Sequence, residues 1–204
     1  LTAEELEKGV RQASLNDSLM PLMAGNATTS VGVANLMDKI CKFMPSPVRD
    51  VKKTVDGKDV ACDANGAFSA QVFKAVADPY VGKLLIFKVL GGKLSSGDSV
   101  YNASVDKPEK IGTLYVLKGK KQEPVDCLNA GDIGAVAKLV YTNTNDTLVS
   151  SPDNKIEFEK IEFPKPVISY AVKALKDEEK AIQGLIKMQE EDATFKVEKN
   201  VEAG

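Results

Sequence analysis

Apolar residues recur at helical spacing near the start of the chain. Residues 2–13 carry one apolar stripe, formed by Leu6, Val10 and Ala13. Thr2 and Glu5 have the spacing of a capping box, in which each side chain bonds the backbone N–H of the other residue. The pattern predicts an amphipathic helix over residues 2–13.

A strand, a loop and a helix follow in the pattern. The short apolar run from Leu19 to Ala24 stops at Gly25 and indicates a strand. Apolar residues then recur at helical spacing from Val33 to Phe43, and two prolines end that stretch. We therefore expect residues 1–47 to form an α/β tail, a strand–loop–helix remnant that is half of a βαβ unit.

Turn-forming residues replace this pattern over residues 48–65. The segment is rich in Asp, Lys, Gly and Asn, and it contains the pairs Asp56-Gly57 and Asn65-Gly66. Such pairs favour turns and interrupt regular structure. We predict a linker over residues 48–65, with room for a hairpin turn.

Short β runs at close spacing dominate residues 66–160. The turn residues that bound them include Gly91-Gly92, Ser96-Gly97-Asp98 and Gly119. The runs are FSAQVFKAVAD, LLIFKVLGG, DSVYNASV, KIGTLYVL and IGAVAKL. Because no helical stretch separates them, they predict a small antiparallel β-barrel and a fold class that is mainly β.

The pattern changes again over residues 161–204. VISYAVKA, residues 167–174, alternates as a strand, and residues 177–191 form a helical stripe with two glutamates in the first turn. TFKVEK, residues 194–199, reads as a second strand. Two strands and a helix predict an incomplete α+β domain of ferredoxin-like type.

Composition excludes several classes of function. The net charge of −2 argues against a basic nucleic-acid-binding domain, so we expect no DNA partner, although it does not argue against a local basic loop. No run approaches the length of a membrane span, and no histidine is present for Ser-His-Asp catalysis or for His-ligated zinc. Three cysteines without paired spacing favour free thiols in a reducing compartment. A first residue of Leu1 rather than Met suggests a piece of a longer protein.

Candidate chemical motifs are sparse. No G-x-x-x-x-G-K-[ST] phosphate loop occurs, and DANG (63–66) and NKIE (154–157) resemble nucleotide-binding motifs only as isolated surface turns. The acidic run EED (190–192) reads as a solvated helix end. The basic run KGKK, residues 118–121, reads either as a soluble hairpin tip or as a phosphate-binding loop.

Longer stretches resemble elongation factor G and its close paralogues among the ribosomal translation GTPases. The opening MPLMAGNATTSVGVANLMDKICKFMPSP is similar to the end of that family's GTPase domain. The barrel segments resemble its second domain, through VFKAVADPYVGKLLIFKVLGGKLSSGDSVYNA, EKIGTLYVLKGKKQEPVDCLNAGDIGAVAKL and NTNDTL. FPKPVISYAVKA and KMQEEDATFKV resemble the start of its third domain.

This resemblance implies a nucleotide function for the parent protein. The family's guanine-contacting loop matches Gly25, Asn26 and Ala27, with Asn26 where the family usually has Ser. The resemblance implies that the backbone N–H of Ala27 contacts the guanine base, whatever the side chain of residue 26. GTP and Mg²⁺ are expected in the full-length parent. This segment, without a phosphate loop, is expected to bind no cofactor and to be inactive alone.

The resemblance also implies a ribosomal partner in the cytoplasm and no membrane partner. The family's second domain leans on the small ribosomal subunit, so Lys118, Lys120 and Lys121 are predicted to contact ribosomal RNA. Two functional classes stay open. One is a GTPase that drives translocation or ribosome disassembly, either the housekeeping factor or a paralogue. The other is a ribosomal-protection or release-factor-type relative that uses the barrel as a binding module.

Overall fold

The computed structural model describes residues 2–49, 51–78, 81–174 and 176–198. The chain divides into two compact units, Leu1–Arg49 and Asp50–Gly204.

Two helices form the first unit. Helix α1 spans Ala3–Leu15 and helix α2 spans Val33–Phe43, as the apolar stripes predict. Thr2 caps α1 through the predicted capping box, since the Glu5 N–H donates to Thr2 Oγ1 over 3.2 Å and the Thr2 N–H donates to Glu5 Oε2 over 2.8 Å. The Arg11 guanidinium donates to the carbonyl of Lys42, which ties α1 to the end of α2.

The strand predicted over Leu19–Ala24 is not formed. The segment has no regular structure, and the side chains of Met20 and Leu22 are 92% and 98% exposed. A strand requires a hydrogen-bonded neighbour, and the described residues of this unit provide only an isolated bridge between Asn26 and Val31. The apolar run therefore reflects a preference for burial that is not satisfied within this unit.

Residues 48–65, expected to form a linker, contain regular structure. A short 3₁₀ turn at Pro47–Arg49 precedes a hairpin of β1 (Val51–Lys53) and β2 (Asp59–Ala61), whose turn includes Gly57 at φ 79°. The Val55 N–H donates to the carbonyl of Glu157 over 2.8 Å. This hairpin is thus fastened to the segment that follows the barrel.

Ten further strands build the barrel, which confirms the mainly β fold class. They are β3 (Ser69–Asp78), β4 (Gly82–Gly91), β5 (Lys93–Ser95), β6 (Ser99–Asn102), β7 (Lys107–Lys110), β8 (Leu114–Lys118), β9 (Lys121–Val125), β10 (Cys127–Asn129), β11 (Ile133–Ala137) and β12 (Thr147–Val149). Eight of them form one antiparallel sheet in the order β7-β6-β12-β3-β4-β11-β8-β9, and β10 pairs with β5. Pairing is antiparallel throughout.

The hydrophobic core lies inside this barrel. Its largest fully buried side chains belong mainly to the strands and include Val72, Leu85, Phe87, Leu114, Val136 and Leu148. Gly92 permits a close approach of two backbone segments, because its φ is 65° and a Cβ there would lie 2.6 Å from the nitrogen of Phe68. Only glycine combines this conformation with that contact at low cost.

Helix α3, Glu178–Glu191, confirms the helix predicted after the barrel. Asp177 caps it by accepting the Lys180 N–H over 3.1 Å. The helix packs on β3, and its Glu191 carboxylate accepts the backbone N–H of Ala77. Its apolar stripe is half-buried at Ala181, Ile182 and Leu185 and exposed at Met188.

The two strands predicted on either side of α3 are not formed. Residues 167–174 and 194–198 have no strand pairing, and the side chain of Val167 is 97% exposed. Lys199, the last residue of the second predicted strand, lies outside the described residues. Alternating apolar residues create a strand only where a neighbouring strand accepts their backbone hydrogen bonds, and none of the described strands does so here.

Candidate functional site

The loop that follows Gly25 is closed by its own hydrogen bonds. The Asn26 N–H donates to the carbonyl of Val31 over 2.9 Å, and the Asn26 side-chain oxygen accepts the N–H groups of Thr28 and Thr29 over 3.0 and 3.2 Å. An Asn side chain that bonds the backbone two and three residues ahead stabilises a turn. The loop therefore holds a defined conformation while remaining exposed.

Two groups of this loop differ in their availability to a ligand. The Asn26 side-chain oxygen is already engaged by two amides, whereas the Ala27 N–H donates to no other described residue. Gly25 and Gly32 permit the close approach of the loop ends, since a Cβ on Gly25 would lie 2.9 Å from the oxygen of Val31. The loop thus leaves the Ala27 N–H without an acceptor among the described residues.

The three lysines of KGKK lie where strands β8 and β9 turn back on each other. Lys118 and Lys121 are directly opposite in the register, and Gly119 adopts φ 60° between them. All three lysines are exposed. The structure therefore brings Lys118, Lys120 and Lys121 together at a hairpin tip.

One carboxylate offsets much of this positive charge. Glu123 forms ion pairs of 2.5 Å with Lys118 and 2.9 Å with Lys121. The hydrogen bond from Lys118, and then that from Lys121, holds the pKa of Glu123 below its ordinary value. Among the described residues, Lys120 has no ionic partner. The tip carries a smaller net charge than its sequence suggests.

The hairpin of β8 and β9, residues 114–125, carries these lysines and is the lysine hairpin. It is also fastened to the rest of the barrel. The Gln122 side-chain amide donates to Asp78 Oδ2 over 2.7 Å, at the end of β3. The next residue toward the amino terminus, Ala77, donates its N–H to Glu191 of α3. The end of β3 thus contacts both the lysine hairpin and the helix that follows the barrel.

The remaining candidate motifs of the sequence are structural. Asp63 closes a turn by accepting the N–H of Asn65 on its side chain and that of Gly66 on its carbonyl. NKIE begins in a 3₁₀ turn at Pro152–Asn154. The end of α3 is exposed, and within the described part of the chain no three His, Cys, Asp or Glu residues are placed to hold a metal ion.

A buried polar cluster was not predicted from the sequence. Glu109 on β7 is only 6% exposed, and its carboxylate accepts hydrogen bonds from the segment 140–142. No local signal marks this residue, because its partners lie more than 30 positions away in the sequence. The sequence KPEK, residues 107–110, is typical of a solvent-exposed strand, and it gives no indication that Glu109 is buried.

The barrel region matches a known family domain, and so does the segment after it. Residues 67–151 match the family model for elongation factor G domain 2, and residues 163–204 match the model for elongation factor G domain III. Together the two models cover more than half of the chain, in consecutive order. The chain belongs to the elongation factor G family.

A solved structure supports the same assignment. The chain is similar over its whole length to a protein from Thermus thermophilus known from a crystal structure, with 26% sequence identity and a TM-score of 0.75. The chain spans 29% of the length of that protein. The elongation factor G resemblance of the sequence is thereby confirmed, including the mainly β fold of its central part.

Of the helices in the described part of the chain, none has the length and hydrophobicity that a membrane span requires.

Proposed function

We propose that this chain is the ribosome-docking part of a translation GTPase of the elongation factor G type, which couples GTP hydrolysis to translocation or to ribosome disassembly. The observation that carries the proposal is the succession of matches to domain 2 and domain III of one family, on a chain whose centre is an antiparallel β-barrel. The partner is the small ribosomal subunit, and the place of action is the cytoplasm.

The lysine hairpin supplies a physical basis for docking on RNA. Lys118, Lys120 and Lys121 project from a turn, where ammonium groups reach phosphates without burying neighbouring polar groups. Lysines act there as point charges and favour RNA shape over sequence. Glu123 reduces the contribution of two of them, so the hairpin is expected to supply part of the contact.

The nucleotide belongs to the same proposal. Gly25, Asn26 and Ala27 would lie at the base side of a GTP site, with the Ala27 N–H, which donates to no described residue, directed to the base. The Asn26 side-chain oxygen would shape the loop rather than read the base, because two amides occupy it. This sequence contains no phosphate loop, so the phosphates and Mg²⁺ would be held by a phosphate loop in another part of the parent protein.

The test is co-sedimentation of the purified chain with isolated small and large ribosomal subunits at several salt concentrations. Saturable binding to small subunits is expected. Replacing the three hairpin lysines with Glu should weaken it and lower the log–log salt slope by roughly 0.7 to 0.9 for each phosphate that is no longer neutralised. A matched control carries the same charge change at three exposed lysines of another segment, namely Lys160, Lys165 and Lys173. Failure of the wild-type chain to bind either subunit would refute the proposal.

A further inference from the structure

A second exposed feature of the barrel lies directly after β11. The segment 138–142 presents Val140 and Tyr141 to solvent, with exposed fractions of 77% and 48%. The residues on either side, Leu139 and Thr142, are buried. An apolar and an aromatic side chain are therefore held outward by a backbone that is anchored at both ends.

One carboxylate holds this segment. Glu109 Oε1 accepts the N–H of Tyr141 over 2.6 Å, the N–H of Thr142 over 3.0 Å and the hydroxyl of Thr142 over 2.9 Å. Glu109 Oε2 accepts the N–H of Val140 over 3.2 Å. We call this set of four bonds the Glu109 clasp. Four hydrogen bonds to one buried carboxyl group hold the backbone of residues 140–142 in one conformation.

Further bonds fix the carbonyl side of the same segment. The Lys83 ammonium donates to the carbonyl of Thr142 over 3.2 Å and to the side chain of Asn143 over 2.5 Å. Asn102 donates to the Thr142 hydroxyl over 3.1 Å. Lys138 adopts φ 66°, a conformation that residues with side chains rarely occupy and that surrounding bonds must maintain. The outward position of Tyr141 is thus built into the barrel.

Three lysines lie close in the sequence to this segment or to Glu109. Lys138 lies two residues before Val140, and Lys107 and Lys110 lie within two residues of Glu109 on β7. All three are exposed, and none has an ionic partner among the residues that the structure describes. The described contacts of the Lys83 ammonium are neutral oxygens, so its charge is also retained. The neighbouring Asp106 is paired with Lys155 at 2.6 Å.

We propose that the segment 138–142 is a second RNA-binding surface of the barrel, on which Tyr141 stacks against an unpaired base while Lys107, Lys110 and Lys138 contact the adjacent phosphates. This inference rests on the proposed function, because it takes ribosomal RNA as the partner. It goes beyond the proposed function because it places the stronger RNA contact at the segment 138–142 and the weaker one at the lysine hairpin.

Charge and rigidity favour RNA over a protein partner. Aromatic side chains that are held in place bind bases by stacking without reading their sequence, and lysines beside them hold the backbone. The lysine hairpin offers no aromatic side chain at its tip, and Glu123 offsets two of its lysines. The segment 138–142 combines an immobilised aromatic ring with exposed lysines that have no ionic partner among the described residues, while the buried carboxylates of Glu109 and Asp146 accept backbone hydrogen bonds from residues 140–143.

The test compares single replacements in the purified chain, with binding measured both to isolated small ribosomal subunits and to naked small-subunit RNA. Tyr141→Ala should weaken both roughly 5- to 150-fold, the range expected for the loss of one stacked base. Tyr141→Phe should restore binding, because a phenyl ring also stacks. Lys138→Glu should weaken binding and lower the log–log salt slope by roughly 0.7 to 0.9. Tyr170→Ala and Lys93→Glu, at other exposed positions, serve as matched controls.

The outcomes separate this inference from the proposed function. If the hairpin replacements weaken binding and Tyr141→Ala leaves it unchanged, the inference is overturned and the proposed function stands. Loss of binding to subunits with unchanged binding to naked RNA would assign the surface to a ribosomal protein and also overturn it. Absence of any binding by the wild-type chain would refute the proposed function itself.

Discussion

Replacement of Glu109 should destabilise the barrel in a graded way that depends on what remains at the position of its Oε1 atom. That atom accepts three of the four bonds of the clasp. Glu109→Gln can keep a carbonyl oxygen there but loses the charge, and it turns an NH₂ group toward the N–H of Val140. Glu109→Ala removes every acceptor.

The magnitude follows from burial of the donors. Thr142 is fully buried, so Glu109→Ala leaves its N–H without a partner at a cost of roughly 1 to 3 kcal/mol. Its hydroxyl loses an acceptor as well, although Asn102 still donates to it. The N–H groups of Val140 and Tyr141 can turn to water. We expect a loss of about 3 kcal/mol in the free energy of unfolding for Glu109→Ala and about 1 kcal/mol for Glu109→Gln.

Two measurements check this expectation. Urea unfolding of the barrel gives the change in free energy, and hydrogen exchange at the Thr142 amide should accelerate roughly 100-fold in Glu109→Ala. Glu162→Gln, an exposed replacement of the same kind, should stay within about 0.5 kcal/mol of the wild type. The reasoning is refuted if Gln proves as costly as Ala, or if both variants behave like the Glu162→Gln control.

Two further outcomes are expected. Gly92→Ala should lower the free energy of unfolding by at least about 2 kcal/mol, because a backbone clash adds to the roughly 1 to 2 kcal/mol that a left-handed conformation costs a residue with a Cβ. Gly97→Ala should lower it only by the conformational cost, because the space around Gly97 is open. Equal urea midpoints for the two variants would contradict this. Hydrogen exchange should show stronger protection over residues 69–139 than over 167–198, because the second region lacks ladder hydrogen bonds among the described residues; comparable protection would mean that the second region has found a partner in solution.

Local signals made the helices and the barrel predictable from the sequence. Thr2 and Glu5 mark the start of α1 within four residues of each other, and the turn at Gly119 places the lysines at a hairpin tip. Side chains two residues apart on a strand lie on the same face, so Lys121 and Glu123 share a face of β9. Their ion pair could therefore have been predicted from the sequence.

The rest depends on partners that a local pattern does not contain. Residues 167–174 alternate like a strand, yet no described strand pairs with them. The hairpin of β1 and β2 is mostly exposed, so its residues lack the apolar alternation that predicts strands. Glu109 is surrounded by polar neighbours in the sequence, and its burial accompanies its contacts with the distant residues 140–142 in the folded barrel.

The Glu109 clasp has a consequence for the order in which the barrel folds. It joins positions 33 apart in the sequence, so the intervening chain must be closed into a loop before any of its bonds forms. Contacts of this kind form after local hairpins such as β8–β9, whose partners meet across a single turn. We therefore expect the ordered surface at Tyr141 to form late in folding, and a nascent or truncated barrel should lack it even where its hairpins have already formed.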